Sequence, residues 1–141
     1  MIRDRGQLRP EHEVRLRVRY EETDTMQVVY YAKYFVWFEV GRMELFRHLG
    51  LEYRRWEERG LRIPVVEAKA TYHASAKFDD EILVKTRIKK VGNTSLRFEN
   101  EVYRLPRMTL LCDGYTVHVL VNSRGKPVEF PREIARKLSP S

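Results

Sequence analysis

Hydrophobic and polar positions alternate from residue 14 to residue 20. Val14, Leu16, Val18 and Tyr20 share one face, and Glu13, Arg15, Arg17 and Arg19 share the other. A period of two predicts a half-buried strand. The alternation stops at 21–26, where two Glu, two Thr and an Asp crowd together. Over 34–49 the period becomes helical. Tyr34, Phe38, Gly41, Leu45 and Leu49 fall on one face, with Phe35 and Phe46 beside them, and Gly50 is a natural stop. The first turns are apolar on nearly every side, so this helix is expected to be buried almost all round. Gly41 lies inside the apolar face, where Gly costs about 1 kcal/mol relative to Ala. Close approach of a neighbouring element is the physical reason to expect it there.

Residues 51–59 predict a short second helix, ended by Gly60. Four long runs rich in β-branched residues follow, at 65–72, 81–91, 94–104 and 109–121. Ile82, Val84, Thr86 and Ile88 oppose Lys85, Arg87 and Lys89. Leu96, Phe98 and Val102 oppose Arg97, Glu99 and Glu101. Such alternation predicts antiparallel strands with one wet face. The connections at 77–80, 92–93 and 105–108 are short, which predicts a meander of hairpins. Residues 1–12 read as a loose polar lead-in, and 131–138 as one or two helical turns. An apolar helix of four turns needs cover. The economical α+β arrangement is a curved antiparallel sheet wrapped round it. No repeat, linker or low-complexity stretch interrupts the chain, so residues 1–141 are expected to form a single domain.

Composition narrows the function classes. Lys and Arg number 27 against 20 Asp and Glu, a formal charge of +7. The lone Cys112 excludes a disulfide within the chain and suits a reducing compartment. No apolar run approaches the roughly 18 residues of a membrane span, and the charged start lacks a signal peptide's apolar region. A cytoplasmic location without membrane insertion is expected. His12, His48, His73 and His118 are dispersed, with no metal-ligand spacing, so no metal is expected. His118 and Cys112 sit in strand patterns; a satisfied core or surface histidine and a buried apolar cysteine are the simpler readings. Arg15, Arg17 and Arg19, with Lys85, Arg87, Lys89 and Lys90, make basic rows. Glu99 and Glu101 on the next strand are placed to neutralise them, so a nucleic-acid partner is not expected.

Residues 20–31 hold the candidate chemistry. Asp24 lies in a loop ahead of a buried helix, whose first N–H groups lack helical partners. A carboxylate facing a carbonyl polarised by such groups can attack it or activate water. On spacing alone, capping of turn N–H groups by Asp24 or Thr25 is the simpler role.

The stretch Arg19-Tyr20-x-x-Thr23-Asp24-x-x-x-Val28-Val29-Tyr30-Tyr31-x-x-Tyr34-Phe35 continues into Trp37-Phe38-Glu39 and Arg42. It is followed by Pro64-Val65-Val66-Glu67-Ala68, Tyr72, Phe78-Asp79-Asp80 and Gly92-Asn93-Thr94-Ser95. Together these resemble the hotdog-fold acyl-CoA thioesterases, in the 4-hydroxybenzoyl-CoA thioesterase-like branch with its YbgC-type members. The resemblance implies five antiparallel strands curled round one long central helix. It implies a homo-oligomer, a dimer or dimer of dimers, in which the strand after the helix pairs with its copy at a sheet edge.

It implies hydrolysis of an acyl-CoA to free acid and coenzyme A, with no cofactor. The family's catalytic aspartate falls on Asp24 and its oxyanion-holding N–H on or beside Tyr31. Val29, Tyr30 and Tyr34 would meet the acyl group, and the partner's Pro64, Val65, Val66 and Glu67 would close the pocket. Lys89, Lys90, Thr94 and Ser95 would meet the nucleotide, for which positive charge is apt. A non-catalytic module binding acyl-CoA or acyl-carrier protein is the alternative. A dehydratase is disfavoured, since no His occurs between His12 and His48. Gln27 stands where the family usually has Gly, and Tyr31 where many members have His.

Overall fold

The computed structural model describes residues 10–139. Strand β1 (Glu11–Arg17) leads through a single 3-10 turn (Tyr20–Glu22) and a loop into helix α1 (Lys33–His48). Helix α2 (Tyr53–Glu58) follows, then β2 (Val65–Tyr72), β3 (Glu81–Val91), β4 (Ser95–Arg104), β5 (Thr109–Val119) and α3 (Arg132–Leu138). Residues 1–9 of the expected lead-in lie outside the described residues, while Glu11 and His12 already belong to β1. At its other end β1 stops at Arg17, short of the predicted Tyr20. Val18 is still buried, but its N–H donates to Asp80 O. The Glu22 carboxylate then accepts the Arg19 N–H at 2.8 Å and turns the chain. Tyr20 is therefore exposed instead of facing the core.

All five strands form one antiparallel sheet in the order β1-β3-β4-β5-β2. Only β3, β4 and β5 make the predicted meander. The short 77–80 connection does not close a hairpin: β2 pairs with β5, and the chain crosses from one sheet edge to the other before β3. β5 offers β2 a free edge, whereas β3 is sandwiched between β1 and β4.

The inner face of the sheet carries Ile82, Val84, Thr86 and Ile88 on β3, and Leu96, Phe98, Asn100 and Val102 on β4, all buried. Two apolar clusters hold α1 to this face. Its first half packs Tyr34, Trp37 and Phe38 with Ile82, Val84, Val102 and Leu111. Its second half packs Leu45 and Phe46 with Trp56, Ile88, Phe98, Leu120 and Ile134. Between the clusters runs a polar row in which Thr86 Oγ1 donates to Asn100 Oδ1 at 3.1 Å. Gly41 lies over this row, and a Cβ there would overlap Thr86 Oγ1. The close approach predicted from its place in the apolar face is thus present. The expectation of burial all round is not met: Val36 is 43% exposed and Phe35 half-buried, on the side of α1 toward β2. β2 is open along its outer edge and exposed at nearly every position.

On the outer face of the sheet basic residues meet Glu99 as expected, whereas Glu101 accepts from the Tyr103 hydroxyl. Arg87 lies opposite Glu99 and approaches it to 3.5 Å, and Lys85 and Arg87 reach Glu11 at 3.8 and 3.9 Å. No described helix is long and apolar enough to cross a membrane.

Candidate active site

The loop between β1 and α1 is folded by its own backbone. Asp24 N–H donates to Val28 O and Gln27 N–H to Asp24 O, each at 2.9 Å, and Thr23 bridges Val29 behind them. Gln27 has φ +66°, the left-handed conformation that such a turn ordinarily assigns to Gly. Gln at this position holds a backbone shape that favours Gly, a strain that for an ordinary residue is about 1 kcal/mol or more.

Asp24 caps the turn as its spacing suggests: Oδ1 accepts the Met26 N–H at 2.9 Å. That leaves Oδ2, which accepts no hydrogen bond among the described residues, on a half-buried side chain. Its neighbour Glu22 has a structural task. Glu22 is 3% exposed and accepts from the Arg19 N–H and, at 3.0 Å, from Trp37 Nε1, while its carbonyl accepts the Tyr30 N–H. It ties both ends of the loop to α1.

The entry to α1 leaves two donors unused. Val29 N–H reaches Ala76 O, Tyr30 N–H reaches Glu22 O, and Lys33 N–H reaches Tyr30 O. The N–H groups of Tyr31 and Ala32 lie between these and donate to nothing among the described residues. Ala32 is the N-cap and brings no side-chain acceptor. Free N–H groups at the positive end of a sixteen-residue helix are what a developing oxyanion requires.

Aromatic rings surround this point. Tyr30 and Tyr31 lie 4.7 Å apart, and Tyr72 is edge-on to Tyr31 and Tyr34 at 6.4 and 5.2 Å. Tyr72 O–H donates to Tyr31 O at 2.9 Å, and Ala76 N–H to the Tyr34 hydroxyl at 3.2 Å. Hydrogen bonding to the Tyr31 phenol raises the Tyr30 pKa, and the charge of Asp24 adds to it. Burial raises that of Tyr34. Asp24, Val29, Tyr30, Tyr31 and Tyr34 are thus gathered at the C-terminal end of β2. Tyr72 belongs with them, though nothing in its strand pattern distinguished it.

The other predicted residues sit at the opposite end of the sheet. Val65 and Leu96 both lie opposite His118, Ser95 lies opposite Val119, and Lys90 opposite Arg97. Pro64 O accepts the Val119 N–H. Seven strand steps from Val65 to Tyr72 span about 23 Å. Pro64, Val65, Val66, Glu67, Lys89, Lys90, Thr94 and Ser95 are therefore not brought to Asp24 within one chain. Lys89, Lys90 and Arg97 line a groove of about 610 Å³. Arg97 was missed from the sequence, although its register opposite Lys90 is the signal that adds a third cation.

Cys112 is buried as expected, and of the two places open to His118, core or surface, the structure shows the core. His118 Nδ1–H donates to Ile63 O at 2.8 Å, so Nε2 accepts from Thr116 Oγ1 at 2.9 Å. Burial pushes this imidazole down to about 4 and the Cys112 thiol up to about 12. No cluster suited to a metal occurs among the described residues.

A family model described as the thioesterase-like superfamily matches residues 18–138. The chain belongs to this superfamily. It is 38% identical to the acyl-CoA thioesterase YbgC of Haemophilus influenzae, over 84% of this chain and 88% of that protein. The crystal structure of a hypothetical protein from Thermus thermophilus matches with TM-score 0.85 and 36% identity, covering 90% of this chain and 96% of that one. A mutant 4-hydroxybenzoyl-CoA thioesterase complexed with 4-hydroxybenzoyl-CoA matches with TM-score 0.83 over 92% and 99% of the two chains. At 22% identity that likeness bears on the fold, which is the hotdog fold of the superfamily: one antiparallel sheet around one long helix.

Proposed function

We propose that this chain hydrolyses acyl-CoA thioesters, with Asp24 and the Tyr31 N–H as its catalytic groups. The observation that carries the reading is one uncommitted carboxylate oxygen on Asp24 in the loop that leads to unused N–H groups at the start of α1. The thioester carbonyl oxygen accepts from the Tyr31 N–H, where the helix dipole favours negative charge. Asp24 then attacks the carbonyl carbon or takes a proton from an attacking water. Collapse of the tetrahedral intermediate breaks the C–S bond. The sulfur leaves as the coenzyme A thiolate, whose free thiol has pKa near 8.5 and so needs little help from an acid. In the attack route, water hydrolyses the resulting anhydride; both routes end in free acid and coenzyme A.

The rest of the site comes from a second copy. Pairing β2 antiparallel with its partner's β2 satisfies an open edge and reverses the strand direction. The partner's Pro64, Val65, Val66 and Glu67 then lie beside Tyr72 and the Asp24 loop. The partner's Thr94, Ser95, Lys89 and Lys90 come to the same side, with the groove that Arg97 completes facing the nucleotide phosphates. Tyr30 and Tyr31, exposed at the entry to α1, border the acyl group, with Val29 and Tyr34 buried behind them. Nothing in the fold or in the named relatives favours the non-catalytic alternative.

Asp24→Asn tests the mechanism. Asn keeps the cap to the Met26 N–H but supplies neither a nucleophile nor an effective base. Thiol release at saturating acyl-CoA should fall by about 10²-fold or more, with circular dichroism unchanged. Activity within about threefold of wild type would leave Asp24 as a turn residue only.

A further inference from the structure

One side of α1 is left without a partner, and it holds a charge that the fold does not balance. Phe35, Val36, Glu39 and Arg42 face Val65 and Ala68 of β2 and Thr116 of β5 across a groove of about 240 Å³. Arg42 is half-buried, yet among the described residues its Nε, shielded from solvent, has no hydrogen-bond partner and no carboxylate lies within 4 Å. Burial lowers the Arg42 pKa, and Glu39 is the first group that opposes the shift. Glu39 itself is exposed, one turn earlier on the same helix face. A partly buried guanidinium with no carboxylate against it among the described residues is costly, so a carboxylate from a second copy is the natural complement.

The place of Arg42 in the fold says which one. It shares the groove with Ala68, at the middle of β2. In the β2-paired dimer proposed above, with the partner's Val65 end beside Tyr72, the two-fold axis falls near the middle of the strand. In such an isologous contact the same surface meets itself, so residue i touches j and j touches i. The two α1 helices then run antiparallel beside the axis, and the face of each carries one acid and one base a turn apart.

We propose that Arg42 pairs with the partner's Glu39, and Glu39 with the partner's Arg42, as a symmetric double clamp between the two α1 helices. The clamp closes the groove between α1 and β2 and balances both guanidinium groups. It rests on the β2-paired dimer proposed above and requires no thioesterase activity.

A charge swap tests it without substrate. Dimer dissociation is followed by light scattering and sedimentation over a dilution series. Glu39→Arg and Arg42→Glu each place like charges together and should raise the dimer Kd about tenfold or more. The double variant E39R/R42E recreates both pairs in reverse and should return Kd to within about threefold of the parent. Should either single swap fail to fold, the milder Glu39→Gln and Arg42→Met form a cycle that reads the same coupling.

Unchanged Kd in the single variants, or a double variant no better than the singles, overturns the clamp. A parent chain that is monomeric at micromolar concentration overturns it together with the proposed dimer. Loss of selectivity for acyl-CoAs ending in a carboxylate in Arg42→Met, with Kd unmoved, also overturns it, since the guanidinium would then read the substrate. The Asp24→Asn assay is separate from all of these, so failure of the clamp and failure of the hydrolase reading are distinguishable.

Discussion

Gln27 holds a left-handed backbone in the loop that carries Asp24, and the hydrogen bonds on either side leave it no choice. Its substitutions should follow backbone geometry more than side-chain chemistry. Gly has no Cβ penalty here, although it loses more entropy on folding, so Gln27→Gly should be neutral or slightly stabilising. A β-branched residue is a genuine outlier at this φ. Gln27→Val should therefore lower stability by about 1–2 kcal/mol and reduce kcat by disturbing Asp24. Thermal melts of both variants check the order.

His118 gives a second residue-scale expectation. Its pKa in the fold, about 4, is depressed below the ordinary 6.5 because the ring is fully buried. Between these values the unfolded chain binds more protons than the folded one. The contribution is intact above pH 6.5 and is lost as pH falls toward 4, by on the order of 3 kcal/mol in all. Urea unfolding at pH 7, 5.5 and 4.5 should show this fall. His118→Gln should lower stability at pH 7 but show a shallower decline with acid.

Among the elements, α1 depends most on an absence of side chain. Gly41 brings the helix onto the polar row of β3 and β4, where a Cβ would overlap Thr86 Oγ1 and stand 3.0 Å from Val84 Cγ1. Gly41→Leu should cost about 2 kcal/mol or more through overpacking, which outweighs its better helix propensity. An unchanged melting temperature would mean that the helix rides higher over the sheet. The element β2 shows the complementary case. Its residues alternate weakly and nearly all are exposed, because only β5 covers one of its edges. Its open edge is where the proposed second copy would add its own β2.

For the whole molecule, the proposed division of the site between two ends of the sheet has a consequence for how substrate is held. The acyl carbonyl is proposed to sit at the Asp24 loop, and the phosphates at the far end of a second copy's β3 and β4. These contacts are remote from the reacting carbon and contribute equally to ground and transition states. Lys89→Glu with Lys90→Glu should raise KM for acyl-CoA about tenfold with little change in kcat. Initial-rate kinetics at two salt concentrations check this, since the parent's KM should also rise with salt. An indifferent KM would move the nucleotide elsewhere.

Much of this protein is legible from local periodicity. The bounds of α1, β2 and β3 fall within a residue of those read from the chain, because repeats of 3.6 and 2 express burial on one face. Gly41 was readable for the same reason, since it interrupts an apolar helix face, and Cys112 from its place within a strand; whether His118 lay in the core or at the surface was not. The Asp24 loop was legible through its family signature, since turn chemistry is local too. What neighbours what was not. Pairing of β2 with β5, and not with β3, depends on which edges remain free after the other strands assemble, and no short window of sequence contains that competition. The same holds for the two separated groups of site residues and for the unbalanced Arg42. Adjacency in the chain says nothing about which end of a sheet a residue reaches, and charge balance is settled only when distant elements close around it.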